Sequence, residues 1–68
     1  MNPAEEQEFR RALVALRQEH RDLDSAIVAL EGTGFPDQLQ LRRLKKKKLA
    51  LRDRILELED RLNPDIIA

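Results

Sequence analysis

The sequence predicts an all-α protein: an antiparallel two-helix hairpin, coiled-coil-like, that assembles into a multi-helix bundle. Three observations indicate this fold class: two apolar stripes at helical spacing, turn-forming residues between the stripes, and a mirror relationship between the stripes. The stripes together form a predicted seam, which consists of Phe9, Leu13, Leu16, His20, Leu23, Ile27 and Leu30 in the first helix and Leu41, Leu44, Lys48, Leu51, Ile55, Leu58 and Leu62 in the second.

The two stripes match in pairs when they are counted outward from the turn. The innermost pair is Leu30 with Leu41, the outermost is Phe9 with Leu62, and the residue numbers of every pair add to 71. A chain that reverses its direction gives this order, because residues equally far from the turn come level with each other. The sequence therefore indicates one hairpin domain over residues 1–68.

The first helix is predicted to run from about residue 3 to residue 31. Asn2 supplies a side-chain acceptor for the N-cap, and Pro3 suits the first helical position because an N–H there has no helical partner. Glu5 places a carboxylate near the positive end of the helix dipole. Gly32 follows the last apolar residue of the stripe and marks the end of the helix.

The loop is predicted at residues 32–36. Gly34 adds a second permissive backbone position to the one at Gly32, as a helix reversal requires. Asp37 with Gln40 three residues later forms a capping pattern for the second helix, although Pro36 is an alternative first helical residue.

The second helix is predicted over about residues 37–62. Asn63 precedes Pro64, and a residue before proline is pushed out of the helical region of backbone space. The helix is therefore expected to stop near Leu62, which leaves residues 63–68 as a tail.

Length and composition restrict the class of function. A chain of 68 residues forms one small domain, and it contains no cysteine for a disulfide or a thiolate metal site. The hydroxyl groups of Ser25 and Thr33 have neither a second histidine nor a glycine-rich phosphate loop beside them. We expect no enzymatic activity, no catalytic or metal-binding residues and no cofactor. Because no apolar run reaches about 20 residues and residues 1–11 are polar, we expect a cytoplasmic protein without a membrane span.

Opposite charges separate along the sequence. Thirteen basic and thirteen acidic side chains cancel overall, but residues 1–31 carry seven acidic and four basic groups, whereas residues 32–68 carry six and nine. The two halves therefore differ in sign, at about −3 and +3. This asymmetry favours association of the two helices, although each exposed pair contributes only about 0–1 kcal/mol.

A second apolar stripe lies outside the seam. Its large members recur one or two heptads apart, and alanines accompany them at positions 15, 29 and 50. Because two helices alone bury little apolar surface, these residues predict a homo-oligomer, a dimer or a tetramer. The alternative is that scattered apolar surface residues are normal. The candidate oligomer face consists of Val14, Val28, Leu49 and Leu56.

The chain resembles the YdcH-like family of short bacterial proteins, which are built on a domain of unknown function. The residues that carry the resemblance are H-x-x-L-D-x-x-I from His20 to Ile27, then Glu31 and Gly32, and L-K-K-K-K-L-A-L-R-D-R-I from Leu44 to Ile55. The resemblance covers about two thirds of the chain and implies a small cytoplasmic helical hairpin with no assigned enzymatic activity. Arg54 departs from the family pattern, in which an acidic residue is common.

A basic segment occupies residues 42–54, where eight basic side chains accompany one acidic side chain. Such a segment could contact phosphates, so a nucleic-acid-associated protein is the alternative function. The domain is neutral overall, however, and almost lacks aromatic residues for stacking on single strands. The candidate basic partner surface, which could also serve a protein partner, consists of Arg42, Arg43, Lys45, Lys46, Lys47, Arg52 and Arg54.

Two polar residues interrupt the seam. Lys48 can cover Leu23 with its aliphatic stem while its ammonium reaches a carboxylate of the first helix at Glu19, Asp22 or Asp24. A lysine at such a position typically fixes the register of a coiled coil. His20 is expected to be a hydrogen-bonded seam residue, because one histidine with carboxylates is a weak ligand set for a metal. The sequence thus favours a self-associating structural or protein-interaction module.

Overall fold

The computed structural model describes residues 1–63. Two helices, α1 (Pro3–Glu31) and α2 (Gln38–Leu62), are joined by a short loop. Contacts between them run in opposite directions along the sequence, because Lys45 lies beside Glu31 whereas Glu59 lies beside Arg17. The predicted all-α hairpin is confirmed, while its assembly into a bundle stays a prediction. Asn63 caps α2, and the remainder of the predicted tail lies outside the described residues.

Capping hydrogen bonds at both ends of α1 define where the helix begins and ends. Asn2 is in an extended conformation, and its Oδ1 accepts a 2.8 Å hydrogen bond from the backbone N–H of Glu5. Pro3 occupies the first helical position. At the other end the N–H of Gly32 donates to the carbonyl of Val28 at 3.0 Å. Donors and acceptors that a helix end leaves unpaired are thereby satisfied.

The loop turns the chain within six residues. Thr33 donates its hydroxyl to the carbonyl of Leu30 at 2.8 Å, and Gly34 adopts a φ of 85°, which favours glycine. Asp37 then caps α2, since its Oδ1 accepts from the N–H groups of Leu39 at 3.0 Å and Gln40 at 3.2 Å. The reversal is therefore fixed by local hydrogen bonds rather than by a hydrophobic core.

The core lies along the line where the two helices meet. All fourteen residues of the predicted seam are buried or half-buried. Four of them, Leu13, Ile27, Leu41 and Leu58, are buried, with Ile27 the least exposed at 3%. The molecule measures 49 × 24 × 15 Å, so it is a rod two helices thick. A rod of this shape gives its core little depth, and most side chains keep contact with solvent.

Candidate interaction surfaces

One side of the hairpin carries a long shallow groove between α1 and α2. Two adjoining depressions form it, and both are lined by His20, Lys48 and Arg52. Val28 and Leu49 border the depression nearer the loop, and Leu56 borders the other. We call this side, with those three apolar residues and the groove between them, the groove face.

The charges along the groove face are paired across the two helices. Going from the loop toward the termini, Lys45 meets Glu31 with Nζ and Oε2 3.5 Å apart, Lys48 meets Asp24, and Arg17 meets Glu59 with Nη2 and Oε2 3.3 Å apart. The residues of these pairs line the two depressions. The groove face therefore presents exposed apolar side chains among largely neutralised charges.

Lys48 and Asp24 form the shortest of these cross-helix pairs. Lys48 Nζ donates to Asp24 Oδ1 at 2.6 Å, and both residues are half-buried. The hydrogen bond from Lys48, followed by the charge of its ammonium, lowers the pKa of Asp24 below its ordinary value of 3.8. Burial opposes this shift to a smaller extent than Lys48 favours it, and the charge of His20 makes the smallest contribution to the lowering. Lys48 therefore pairs with Asp24 and not with Glu19 or Asp22, the other two carboxylates that the sequence placed within its reach.

His20 differs from the expectation for a hydrogen-bonded seam residue. Its Nε2 atom is buried and has no hydrogen-bond partner among residues 1–63. The neighbouring cation, Lys48, directs its ammonium to Asp24 instead. The expectation is therefore wrong for this nitrogen, because the nearby carboxylate of Asp24 is already engaged by Lys48.

The candidate oligomer face predicted from the sequence is exposed. Val14, Val28, Leu49 and Leu56 each keep more than half of their side-chain surface in solvent. Val14 precedes Val28 by two heptads, so helical geometry places both residues on the same side of α1. Three of the four residues, Val28, Leu49 and Leu56, border the groove, whereas Val14 lines neither of its two depressions.

The opposite side of the hairpin differs in character. A separate, third depression on that side is lined by Leu23, Ala26 and Leu51, with Glu19 and Asp22 on α1 and Lys47 on α2. In the described part of the chain, no ion pair within 4.0 Å joins the two helices on this side. The charge pairs that join the two helices therefore concentrate on the groove face, beside the exposed side chains of Val28, Leu49 and Leu56.

The basic segment does not form a single surface. Lys45 pairs with Glu31, and Arg52 lies in the groove. Lys47 lies on the opposite side of the hairpin, and the side chain of Arg54 is exposed one heptad after it. Residues that share the outward side of α2 are Arg42, Arg43 and Lys46, all of them exposed. The structure thus divides the seven predicted residues among three sides of the helix.

Two exposed apolar residues at the loop end were not singled out from the sequence. Phe35 is 95% exposed, and Leu39 in the first turn of α2 is 58% exposed. Phe35 follows Gly34, whose positive φ turns the backbone, and precedes Pro36, which is half-buried. Their position outside both heptad stripes is a signal in the sequence that could have identified them.

Residues 1–63 contain no group of three or more histidine, cysteine or acidic side chains arranged to hold a metal ion. Over the same residues, neither α1 nor α2 combines the length and the apolar character that a bilayer-crossing helix needs.

Comparison with known proteins gives one match. The sequence model of a family described as a protein of unknown function (DUF465) matches residues 13–59, which include most of both helices and the whole loop. The search of curated proteins found no match, and neither did the search of solved structures.

Proposed function

The chain belongs to the DUF465 family of proteins of unknown function, which includes the YdcH-like proteins, and we propose that it is a non-enzymatic, self-associating helical module. The resemblance drawn from its two motifs is thereby confirmed. In this proposal the hairpin acts in the cytoplasm as a structural or protein-interaction element, as a dimer or a tetramer.

The observation that carries the proposal is the large accessible surface that this elongated hairpin leaves around a very small core. The accessible surface of the chain is 5705 Å². A compact monomer of its mass, 7.9 kDa, would expose about 4,400 Å² by the usual scaling of surface with size. The excess of about 1,300 Å² exceeds the roughly 800 Å² that one partner contributes to a standard interface.

The position of the exposed residues supports the same proposal. Val28, Leu49 and Leu56 border one continuous groove, and ion pairs across the groove already neutralise most of its charge. A contiguous apolar surface with a polar rim is typical of a protein–protein interface. Burial of this surface would also supply stability that a two-helix core of this size lacks.

Sedimentation velocity at several protein concentrations tests the proposal. The wild-type chain is expected to sediment as a dimer or a tetramer. The Leu49→Asp variant should sediment as a smaller species with unchanged helical circular dichroism, because it places a charge on the groove face. Leu39→Asp is the matched control, since Leu39 is exposed to 58% and Leu49 to 57%, and Leu39 lies away from the groove. A wild-type chain that stays monomeric at about 100 μM would refute self-association.

A second candidate function is association with nucleic acid. The observation that favours it is the outward group of Arg42, Arg43 and Lys46, whose side chains have no carboxylate within 4.0 Å in the part of the chain that the structure describes. Under this proposal the hairpin co-sediments with a short DNA duplex, and binding falls steeply with salt. Charge reversal at Lys46 and Lys47 should then abolish binding and preserve helicity. Oligomers that ignore the duplex would exclude this candidate.

A further inference from the structure

We infer that the partner on the groove face is a second copy of this chain in antiparallel orientation, with the loop end of each hairpin beside the terminal end of the other. This inference rests on the proposed self-association and adds the orientation of the partner. Two properties of the described residues carry it: the separation of charge along the rod and the spacing of the apolar residues on the groove face.

Charge separates along the length of the hairpin. The half nearer the loop, residues 20–51, carries seven basic and four acidic side chains and a net charge of +3, with His20 counted as neutral. The half nearer the termini, residues 1–19 and 52–63, carries six basic and eight acidic side chains and a net charge of −2. Each hairpin is therefore a rod with a positive loop end and a negative terminal end.

This separation distinguishes the two orientations in which identical rods can pair by a two-fold axis. A parallel pair brings the two positive ends together and the two negative ends together. An antiparallel pair places each positive end beside a negative end. At low salt, about 0.01 M, the screening length of about 30 Å exceeds the 24 Å width of the rod, so the net charge of each end affects association.

The apolar residues of the groove face are compatible with the antiparallel pair. Leu49 and Leu56 lie one heptad apart on the same helix, α2, and both border the groove. At 1.5 Å per residue they are about 10 Å apart along the rod.

A two-fold axis midway between Leu49 and Leu56 consequently brings Leu49 of one copy over Leu56 of the other. A parallel pair would instead place Leu49 beside Leu49 and Leu56 beside Leu56. The apolar spacing permits both orientations, and the charge separation selects the antiparallel one.

The absence of cysteine from the chain makes a direct test feasible, because each introduced thiol is unique. Full-length Leu49→Cys and Leu56→Cys variants are treated with a short thiol cross-linker, alone and as a mixture, with one chain of the mixture carrying a mass tag. The antiparallel pair predicts cross-linking of Leu49→Cys to Leu56→Cys. It predicts no cross-linking of Leu49→Cys to itself.

The outcomes separate this inference from the proposal on which it rests. Cross-linking of Leu49→Cys to itself without the mixed product would show a parallel pair and overturn the inference, while self-association stands. An oligomer that gives none of these products would place the interface on another surface and also overturn it. A chain that sediments as a monomer and gives no product would refute both.

Salt and charge reversal give a second readout. Low salt should tighten association of the wild-type chain, because oppositely charged ends attract more strongly when they are less screened. Reversal of two charges in the variant Lys46→Glu/Lys47→Glu changes the loop half from +3 to −1. Association of this variant should weaken at low salt and match that of the wild type at high salt. Tighter association of the variant at low salt would contradict the antiparallel orientation.

Discussion

Lys48 Nζ on α2 donates a 2.6 Å hydrogen bond to Asp24 Oδ1 on α1. Lys48 occupies a heptad position that normally faces the core, but its ammonium forms this ion pair outside the core. The stem of Lys48 leaves the seam and its ammonium reaches the groove face. Only one register of the two helices aligns this cation with this carboxylate. The pair therefore adds specificity to a seam in which most other residues are interchangeable aliphatic side chains.

Replacement of Lys48 by leucine should stabilise the hairpin and reduce its specificity. We expect Lys48→Leu to raise the free energy of unfolding by about 1 kcal/mol, because an apolar side chain fills the half-buried seam position. Sedimentation of the variant should show more than one species where the wild type shows one. Lys46→Leu, at a fully solvated position, is the control and should give no gain in thermal stability. A less stable Lys48→Leu variant would contradict this account.

The hydrogen bond to Asp24 predicts a dependence of stability on pH. The pKa of Asp24 is lower in the folded chain than its ordinary value of 3.8, so the unfolded chain binds more protons in the window between the two values. The contribution of Asp24 is fully present above pH 3.8 and is lost as the pH falls through the lowered pKa. Asp24→Asn should be less stable than the wild type at pH 7.

Urea unfolding of both proteins between pH 2 and pH 7 checks this expectation. The difference in unfolding free energy between wild type and Asp24→Asn should shrink as the solution is acidified. Asp22→Asn is the control, because Asp22 accepts its hydrogen bond from Gln18 on the same helix. A difference that stays constant over the whole range would show that ionisation of Asp24 does not contribute.

The buried Nε2 atom of His20 predicts that an apolar replacement stabilises the fold. A buried polar atom without a partner costs about 1–3 kcal/mol, and leucine fits the heptad pattern at this position. His20→Leu should therefore raise the midpoint of thermal unfolding followed by circular dichroism at pH 7. His20→Asn keeps a polar group in the seam and should lower the midpoint. A lower midpoint for His20→Leu would mean that the nitrogen has a favourable role in the fold.

Two adjacent residues of α1 should respond very differently to truncation. Ile27 is exposed to only 3%, and removal of a buried isoleucine side chain to alanine costs about 2–5 kcal/mol. Ile27→Ala should therefore abolish the cooperative helical transition, because only four of the residues 1–63 are buried. Val28→Ala, measured at the same low protein concentration, should change stability by only about 0.5 kcal/mol. Equal effects of the two substitutions would contradict the burial pattern.

The start of α2 should depend on Asp37. Its carboxylate accepts two backbone hydrogen bonds, and removal of an N-cap side chain costs about 1 kcal/mol. Asp37→Ala should lower the unfolding free energy by that amount in a urea titration. Asp53→Ala, within α2 and exposed, is the control and should have little effect. A loss of stability only in the control would place the important carboxylate elsewhere.

The sequence contained most of the information about the fold because helical periodicity is a local property. Residues at steps of three and four share a helix face, so Leu13, Ile27, Leu41 and Leu58 could be assigned to one seam from spacing alone. Turn and capping residues, such as Gly34 and Asp37, act within a few residues and are equally readable. The all-α hairpin and the family resemblance both followed from these local signals.

Only the tertiary structure decided which of several chemically equivalent groups meet. Three carboxylates were within reach of Lys48 by sequence, and the rotation and axial position of α1 against α2 selected Asp24. The same geometry placed Val28, Leu49 and Leu56 beside one groove and divided the basic segment among separate sides of α2. It also left His20 Nε2 without a hydrogen-bond partner among the described residues. Spacing determines the face of a helix on which a residue lies, whereas the packing of two helices determines what that face contacts.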